Sequence, residues 1–319
     1  MAGARITLPP SPMVPPFPAW ARMRSIPKTP EEAGFLAGAA LAALHPIACH
    51  DHPIGVLWRQ RLALVNAAAL ARHAGRSEDE AALRDAWYLR RAGDDPGPAG
   101  RLLQAWRRLA ERDPLDKAVR LMLRPKDWMV DLTNVLDVPV DDALEDVGDA
   151  AKTLAAGEGS AIAAAAEVAA VSLQKRPDAA ALALWLADAV LAHRLKWPAP
   201  VPLIAGQIRR SDLRAAARPE GDGAWQTGWT LAYARAAAAA VDLYAELARR
   251  AHQLLTAAPT LRGRDAARRI EILLTEDAQA ATAGASATDR SSRRLFERLV
   301  AIGAARELTG RPTFRLYGL

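Results

Sequence analysis

Arginine side chains near the C-terminal end are the groups in this sequence best placed to do chemistry. On a helical wheel of about 100° per residue, one side of residues 290–302 is basic and the other is apolar. The basic side carries Arg290, Arg293, Arg294 and Arg298. The apolar side carries Leu295, Phe296, Leu299 and Ile302, with Val300 at the boundary. Because a guanidinium donates paired hydrogen bonds to phosphate, this pattern predicts a helix that packs on one face and meets water or phosphate on the other.

A short β-hairpin is predicted directly after that helix. Residues 305–308 and 313–317 flank Thr309-Gly310-Arg311-Pro312. The glycine supplies the positive φ that a tight turn requires. Three further arginines lie on the hairpin: Arg306, Arg311 and Arg315. The hairpin therefore extends the basic surface beyond the helix.

Together these elements predict a small winged-helix domain over residues 262–319. Helices are expected at residues 264–275, 276–284 and 290–302, and Gly303 is expected to end the last of them. In a winged helix the last helix enters the major groove of DNA, and the wing touches the backbone or the minor groove.

Two functions fit this basic segment. The first is binding to double-stranded DNA through the seven arginines, which would make the affinity salt-dependent. The alternative is a helical interaction or scaffold protein, because winged helices also serve as protein–protein modules. In that case the segment packs against the body of the protein or against a protein partner.

The distribution of charge favours an anionic partner. The net charge is +6. Residues 1–248 hold 29 basic and 29 acidic residues, whereas residues 249–319 hold 13 basic and 7 acidic ones. The whole excess therefore lies in the last part of the chain, as expected of a segment that binds an anionic partner.

The part of the chain that must position this segment, residues 29–258, is predicted to form an all-α, bundle-like body. Helical spacing of apolar residues recurs throughout, and period-two runs are absent before residue 300. The predictions include a capping box at Ser77, a helix over residues 203–217, and a buried core helix over residues 179–195. Residues 1–28 form a proline-rich N-terminal arm that cannot be helical between Pro9 and Pro18.

Cysteine usage and hydropathy predict a cytoplasmic protein without a membrane span. The single cysteine, Cys49, allows no disulfide within the chain, which fits a reducing compartment. The N-terminal residues lack the apolar run of a signal peptide. The most apolar window is shorter than the ~20 residues of a spanning helix and is interrupted by charge. Oligomeric state is not set by any of these features.

A cluster of possible zinc ligands precedes the second predicted helix: His45, Cys49, His50 and His52. Pro46 and Pro53 interrupt the segment, and no second ligand cluster lies elsewhere in the sequence. We favour a helix end with capping and surface histidines, and we predict no metal site.

Charged residues inside apolar helices predict internal pairing. Asp188 lies in the most apolar helix, with His193 five residues later. Because a buried carboxylate needs a partner, Arg235 is the candidate, and a structural salt bridge is favoured over an acid–base site. Arg59 and Arg61 beside Trp58 likewise indicate internal ion pairs and stacking.

An acidic run lies in the middle of the chain: Asp137, Asp141, Asp142, Glu145, Asp146 and Asp149. The spacing of a calcium-binding loop is absent, so a solvated helix face is the preferred interpretation. The run could also dock on the basic C-terminal segment and mask it.

Sequence motifs for catalysis are missing. There is no phosphate-binding loop, dinucleotide fingerprint, zinc-protease His–Glu pair or nucleophile elbow. We therefore predict a non-enzymatic protein with no catalytic residue and no cofactor.

Several stretches of the sequence resemble those of a known protein family. They include Trp58-Arg59-Gln60-Arg61, Gly93-Asp94-Asp95-Pro96-Gly97-Pro98, Leu184-Trp185-Leu186-Ala187-Asp188, Arg293-Arg294-Leu295-Phe296-Glu297-Arg298 and Thr309-Gly310-Arg311-Pro312-Thr313-Phe314-Arg315-Leu316-Tyr317-Gly318-Leu319. With them, most of the chain resembles an uncharacterised alphaproteobacterial family catalogued as domain of unknown function 1403. The resemblance implies a common fold and supplies no activity.

Overall fold

Helices dominate the computed structural model, which describes residues 10, 12–91, 93–218, 224–261, 266–280, 289–310 and 315–319. Those residues form fourteen α-helices and one small antiparallel sheet. The expected all-α class is confirmed. The helices are α1 (Pro30–Ala48), α2 (Pro53–His73), α3 (Glu80–Tyr88), α4 (Gly97–Leu109), α5 (Leu115–Arg120), α6 (Pro125–Trp128), α7 (Val130–Leu136), α8 (Asp142–Ala156), α9 (Ala161–Lys175), α10 (Ala180–Arg194), α11 (Arg210–Ala217), α12 (Ala224–Ala257), α13 (Ala266–Thr275) and α14 (Asp289–Ala301). The strands are β1 (Gln279–Ala280), β2 (Arg306–Glu307) and β3 (Leu316–Gly318).

The start of each long N-terminal helix follows from capping chemistry. The Thr29 side chain accepts a hydrogen bond from the Glu32 N–H, and Pro30 occupies the first turn of α1. At α2 the His52 ring takes the same role, because its Nδ1 accepts from the Ile54 N–H at 3.2 Å. Pro46 lies within α1, which continues to Ala48. The predicted capping histidine is thus confirmed at His52.

The core of the body is built around α2 and α10. Residues 182–192 of α10 are all buried, which confirms the buried core helix expected over residues 179–195. Two indole N–H groups in this core reach backbone carbonyls: Trp58 donates to Ala240 and Trp185 donates to Ala105. Buried aromatic rings therefore add apolar area without leaving these donors unpaired. None of the helices in the described ranges is long and apolar enough to cross a bilayer.

The partner of Asp188 differs from the prediction. Its carboxylate accepts from the backbone N–H groups of Leu203 and Ile204, whereas Arg235 donates to the carbonyl of Gln207. Arg235 as the salt-bridge partner was therefore wrong, because two backbone donors satisfy the carboxylate instead. His193 lies against Asp113, with 2.7 Å between Nδ1 and Oδ2.

The helix predicted over residues 203–217 was wrong as a single element. A 3-10 turn, Ile204–Gly206, is separate from α11. Asp188 holds the start of this turn, and the Asn66 side chain accepts from the Gly206 N–H. Arg209, whose backbone is extended (φ −92°, ψ 154°), separates the turn from α11.

One further expectation about a helix end is corrected. The residue that caps α3 is Asp79, whose side chain accepts from the Ala82 N–H, rather than Ser77. In the arm, residues 12–18 are irregular and lead to a 3-10 turn, Ala19–Ala21. Arg22 then pairs with Asp242 of α12 at 2.6 Å. This contact ties the arm to the body.

The C-terminal segment alternates helices and strands around a central strand. β3 lies between β1 and β2 and is antiparallel to both. The hairpin of β2 and β3 is confirmed. The helix predicted over residues 276–284 was wrong at Gln279 and Ala280, which pair with β3; residues 281–284 lie outside the described ranges. The ladder with β3 overrides the helix propensity of this alanine-rich stretch.

The segment shares its hydrophobic core with the body. Leu273, Phe296, Tyr317 and Leu319 belong to the same buried cluster as α2 and α10. The division of the chain into a body over residues 29–258 and a winged-helix domain over residues 262–319 stays a prediction.

Candidate nucleic-acid interface

The orientation of α14 is set by the apolar and polar groups beneath it. Ser292, Phe296 and Leu299 are buried. The Phe296 ring stacks on Tyr317 of β3, with centroids 4.3 Å apart. On the other side the Arg269 guanidinium of α13 lies over Phe296 and donates to the Ser292 hydroxyl at 2.8 Å. These contacts hold α14 in one rotation against α13 and the sheet.

That rotation presents the arginine face of α14 to solvent. Arg293, Arg294 and Arg298 are all exposed. Arg294 and Arg298 are four residues apart and thus neighbours on the helix surface. The side chain of Arg290 and the whole of Arg311 lie outside the described residues. The structure therefore brings three of the predicted contact residues onto one exposed face.

The remaining two predicted residues lie on the hairpin and differ from each other. Arg315, which precedes β3, is exposed. Arg306 of β2 is half-buried and lies 3.4 Å from Glu246 of α12. Burial, assisted by the charge of Arg250, lowers the pKa of Arg306. Arg306 thus belongs as much to the contact with the body as to the exposed surface.

The turn that follows β2 is organised by Glu307. Its carboxylate accepts from the N–H groups of Thr309 and Gly310 at 3.0 and 2.8 Å. Burial opposes ionisation, yet these hydrogen bonds and the charge of Arg315 hold the pKa of Glu307 below its usual value. Gly310 has φ of 62°, as predicted for the turn. The Glu307 carboxylate thus holds the backbone of Thr309 and Gly310 in a turn.

The C-terminal end of α14 departs from the helical wheel. Gly303 has φ of 71° and ends the helix as predicted. Ile302 lies just beyond the last helical residue and is 43% exposed, so its placement on the packing face was wrong. Val300 is similarly exposed, at 41%. An apolar patch thus borders the arginines.

The acidic run does not mask the basic face in the way considered above. Asp141 pairs with Arg176, Asp146 with Lys175 and Asp149 with Lys152. These partners lie on α8 and α9 or directly after α9. Docking of this run on the C-terminal segment was therefore wrong for these three residues, because local bases neutralise them.

Asp277 is the charged residue that sequence reasoning missed. Its two carboxylate oxygens accept from Nε of Arg61 and Nε of Arg84, the latter at 2.7 Å. Burial alone would raise the pKa of Asp277, but the two guanidinium groups hold it below the usual value. Internal ion pairing is confirmed for Arg61. Asp277 comes just after the end of α13. Its position was overlooked because residues 276–284 were predicted to form a further helix.

Arg59 has a different environment from Arg61. It donates to the carbonyls of Ala48 and Gly55 and lies over Trp58, 5.5 Å from the ring centroid. Stacking is confirmed. The predicted ion pair is wrong among the residues described, because backbone carbonyls take the place of a carboxylate.

The His/Cys cluster is spread over several contacts. His45 Nδ1 accepts from the Trp197 indole N–H at 3.0 Å, and Cys49 Sγ lies 3.8 Å from His45 Nε2. His52 caps α2. Within the described ranges, no group of three His, Cys, Asp or Glu side chains is arranged to hold a metal ion.

Comparison with known proteins gives a family and no activity. No curated protein matches the chain. A family model described as "Protein of unknown function (DUF1403)" matches residues 8–319, nearly its full length. The chain therefore belongs to this family, DUF1403.

Proposed function

We propose that the protein binds double-stranded DNA through a C-terminal winged helix. Support for the fold comes from element order: α13, β1, α14, β2 and β3 follow one another, with β3 at the centre of the sheet. A helix packed against a three-stranded sheet, with a hairpin beside it, matches the layout of helix and wing in winged-helix proteins. α14 takes the position of the recognition helix.

The single observation that carries the proposal is the exposure of the arginine face of α14. Arg293, Arg294 and Arg298 are exposed, while Ser292, Phe296 and Leu299 of the same helix are buried. A helix offered in this way can enter a major groove about 12 Å wide. If the body covered these arginines, a role in packing the segment against the body would be favoured over DNA binding.

The hairpin supplies a second contact. Arg315 is exposed beside β3, and the turn after β2 is held by Glu307. In the proposed complex Arg315 touches the phosphate backbone. Arg306 contributes less because it is half-buried beside Glu246.

Filter binding of the full chain to duplex DNA at two salt concentrations tests the proposal. We expect binding that weakens steeply with salt. Changing Arg293→Ala together with Arg294→Ala should lower the affinity about tenfold and reduce the salt slope by about 2. A matched control is Arg120→Ala with Arg124→Ala, which removes two exposed arginines from the body. Salt-insensitive binding, or an equal effect of both pairs, rejects the proposal.

A second candidate function is docking of a protein partner on the same helix. The observation in its favour is the exposure of Val300 and Ile302 next to the arginines. Apolar side chains at the centre of a polar rim are typical of protein interfaces. Val300→Ser with Ile302→Ser separates the two functions, since it should leave the salt slope of DNA binding unchanged. Loss of DNA binding in this variant with a retained fold would instead make the patch part of the DNA surface.

A further inference from the structure

A cavity of about 710 Å³ lies on the body, away from the arginine face of α14. It is bounded by the end of α1, the first turns of α2, the end of α4 and the segment at Pro198. The polar side chains of its wall include Cys49, His50, Arg59, Gln60, Arg107 and Glu276. The cavity is thus large enough for a small ligand and has two guanidinium groups in its wall.

Arg59 is the unusual group of this wall. It is only 9% exposed, and within the described residues no carboxylate lies within 4.0 Å of it. Its Nη atoms donate to the carbonyls of Ala48 and Gly55, and its Nε–H has no hydrogen-bond partner there. Burial lowers the pKa of Arg59 to about 10. A buried cation without a counter-charge is costly, and Arg61, two residues away, is instead paired with Asp277.

Arg107 forms the second cationic part of the wall. It pairs with Glu276 at 3.0 Å and donates a hydrogen bond to the Tyr88 hydroxyl. Its guanidinium carbon lies over the Trp87 ring, 4.7 Å from the ring centroid. These contacts fix its guanidinium at the edge of the cavity. Glu276 is committed to Arg107, and the other acids of the lining, Asp51 and Glu111, are exposed to solvent. The buried side of the cavity is therefore positive.

We propose that this cavity binds a small oxyanion, a carboxylate or a phosphate, with Arg59 as its counter-charge and Arg107 at the rim. The bound oxyanion supplies the missing negative charge beside Arg59 and accepts from its unused N–H groups. This site is separate from the DNA-binding surface and does not depend on it.

Cys49 provides a built-in reporter for the proposal. It is the sole cysteine of the chain, it is exposed, and it lies in the same wall near Arg59. The thiolate attacks the CH2 carbon of iodoacetate or iodoacetamide and displaces iodide, so both reagents form one C–S bond. Iodoacetate carries a carboxylate and iodoacetamide does not. The ratio of the two rates therefore reports the attraction of an anion to the cavity, independently of the thiolate fraction.

The experiment measures that ratio for the full chain and for free N-acetylcysteine amide, a reference thiol that carries no carboxylate of its own. We expect the protein ratio to exceed the reference at least about threefold, and Arg59→Met to remove the excess. Inorganic phosphate and acetate, each compared with chloride at equal ionic strength, should slow alkylation of the unchanged protein. Protection by only one of them identifies the phosphate or the carboxylate class.

Two controls make the result decisive. Arg293→Ala with Arg294→Ala should leave the ratio and the protection unchanged, since these arginines lie on the other surface. The protection measurement needs no variant, so it stands even where Arg59→Met folds poorly. A protein ratio equal to the reference, or equal alkylation rates in phosphate, acetate and chloride, overturns the proposal.

Discussion

The arginines of the interior and those of α14 are the same residue type in opposite settings. Arg61 and Arg84 are buried and share the carboxylate of Asp277. Arg293, Arg294 and Arg298 are exposed on one helix face. The one carboxylate that the interior pair shares comes from the C-terminal segment itself. That segment directs Asp277 and Glu276 toward the body, which leaves its outer face more positive than its sequence alone indicates.

The largest expected effect concerns the interior pair. Asp277→Ala leaves two buried guanidinium groups without a counter-charge and should lower the free energy of unfolding by about 3–5 kcal/mol. Urea denaturation measures it. Asp242→Ala breaks the exposed pair with Arg22 and should cost less than about 1 kcal/mol. Equal losses in the two variants would erase the distinction between interior and surface charges.

Asp188 extends the comparison to a buried carboxyl group that pairs with no cation among the described residues. Burial raises the pKa of Asp188 to about 7 from its ordinary 3.8, against the opposing effect of the hydrogen bonds from the Leu203 and Ile204 N–H groups. The unfolded chain releases this proton near pH 4, whereas the folded one keeps it until about pH 7. Its contribution to stability therefore falls as pH rises across that window.

Asp188→Asn should remove this dependence, because the amide oxygen still accepts from the backbone. We expect the stability of the variant relative to the unchanged protein to rise by up to about 4 kcal/mol between pH 4 and pH 7. Urea titrations at both pH values check it. A relative stability that stays flat or falls with pH contradicts the assignment.

Arg306 is half-buried and therefore intermediate between the interior arginines and the exposed arginines of α14. Arg298→Ala should weaken DNA binding about fivefold and lower the salt slope by about 1. Arg306→Ala should leave the slope almost unchanged because Glu246 already pairs with this side chain. Parallel binding isotherms of the two variants at several salt concentrations give the answer. The same slope change for both would place Arg306 with the surface group.

The smallest effect belongs to the exposed face. Arg293→Ala with Arg294→Ala should change the free energy of unfolding by no more than about 0.5 kcal/mol. Thermal and urea unfolding measure it alongside the binding assay. A loss above about 1 kcal/mol would mean that these arginines also hold the fold together.

Local patterns predicted much of this molecule. The helix over residues 290–302 follows from its amphipathic wheel, and Gly303 and Gly310 follow from the φ angles that their turns require. Long-range contacts were not accessible in the same way. Asp188 turned to backbone N–H groups rather than to Arg235, and Gln279 joined a strand because β3 offered partners. Both outcomes depend on residues distant in sequence.

Of the candidate surface, the arginine face was predictable from spacing, whereas its exposure was not. A wheel shows which side of α14 is basic and says nothing about what covers that side. Arg59 and Arg61 illustrate the same limit, since these two arginines of one helix have different partners: backbone carbonyls for Arg59 and the distant carboxylate of Asp277 for Arg61.

The Asp277 contact also has a consequence for the order in which the chain acquires its structure. Arg61 and Arg84 precede their shared carboxylate by 216 and 193 positions. While the ribosome is still making the body, α2 and α3 carry charges whose partner does not yet exist. Contacts of such sequence separation form late and slow folding. The hydrogen bonds that Arg61 and Arg84 make to Asp277 can therefore form only after residue 277 has left the ribosome, late in the synthesis of the chain.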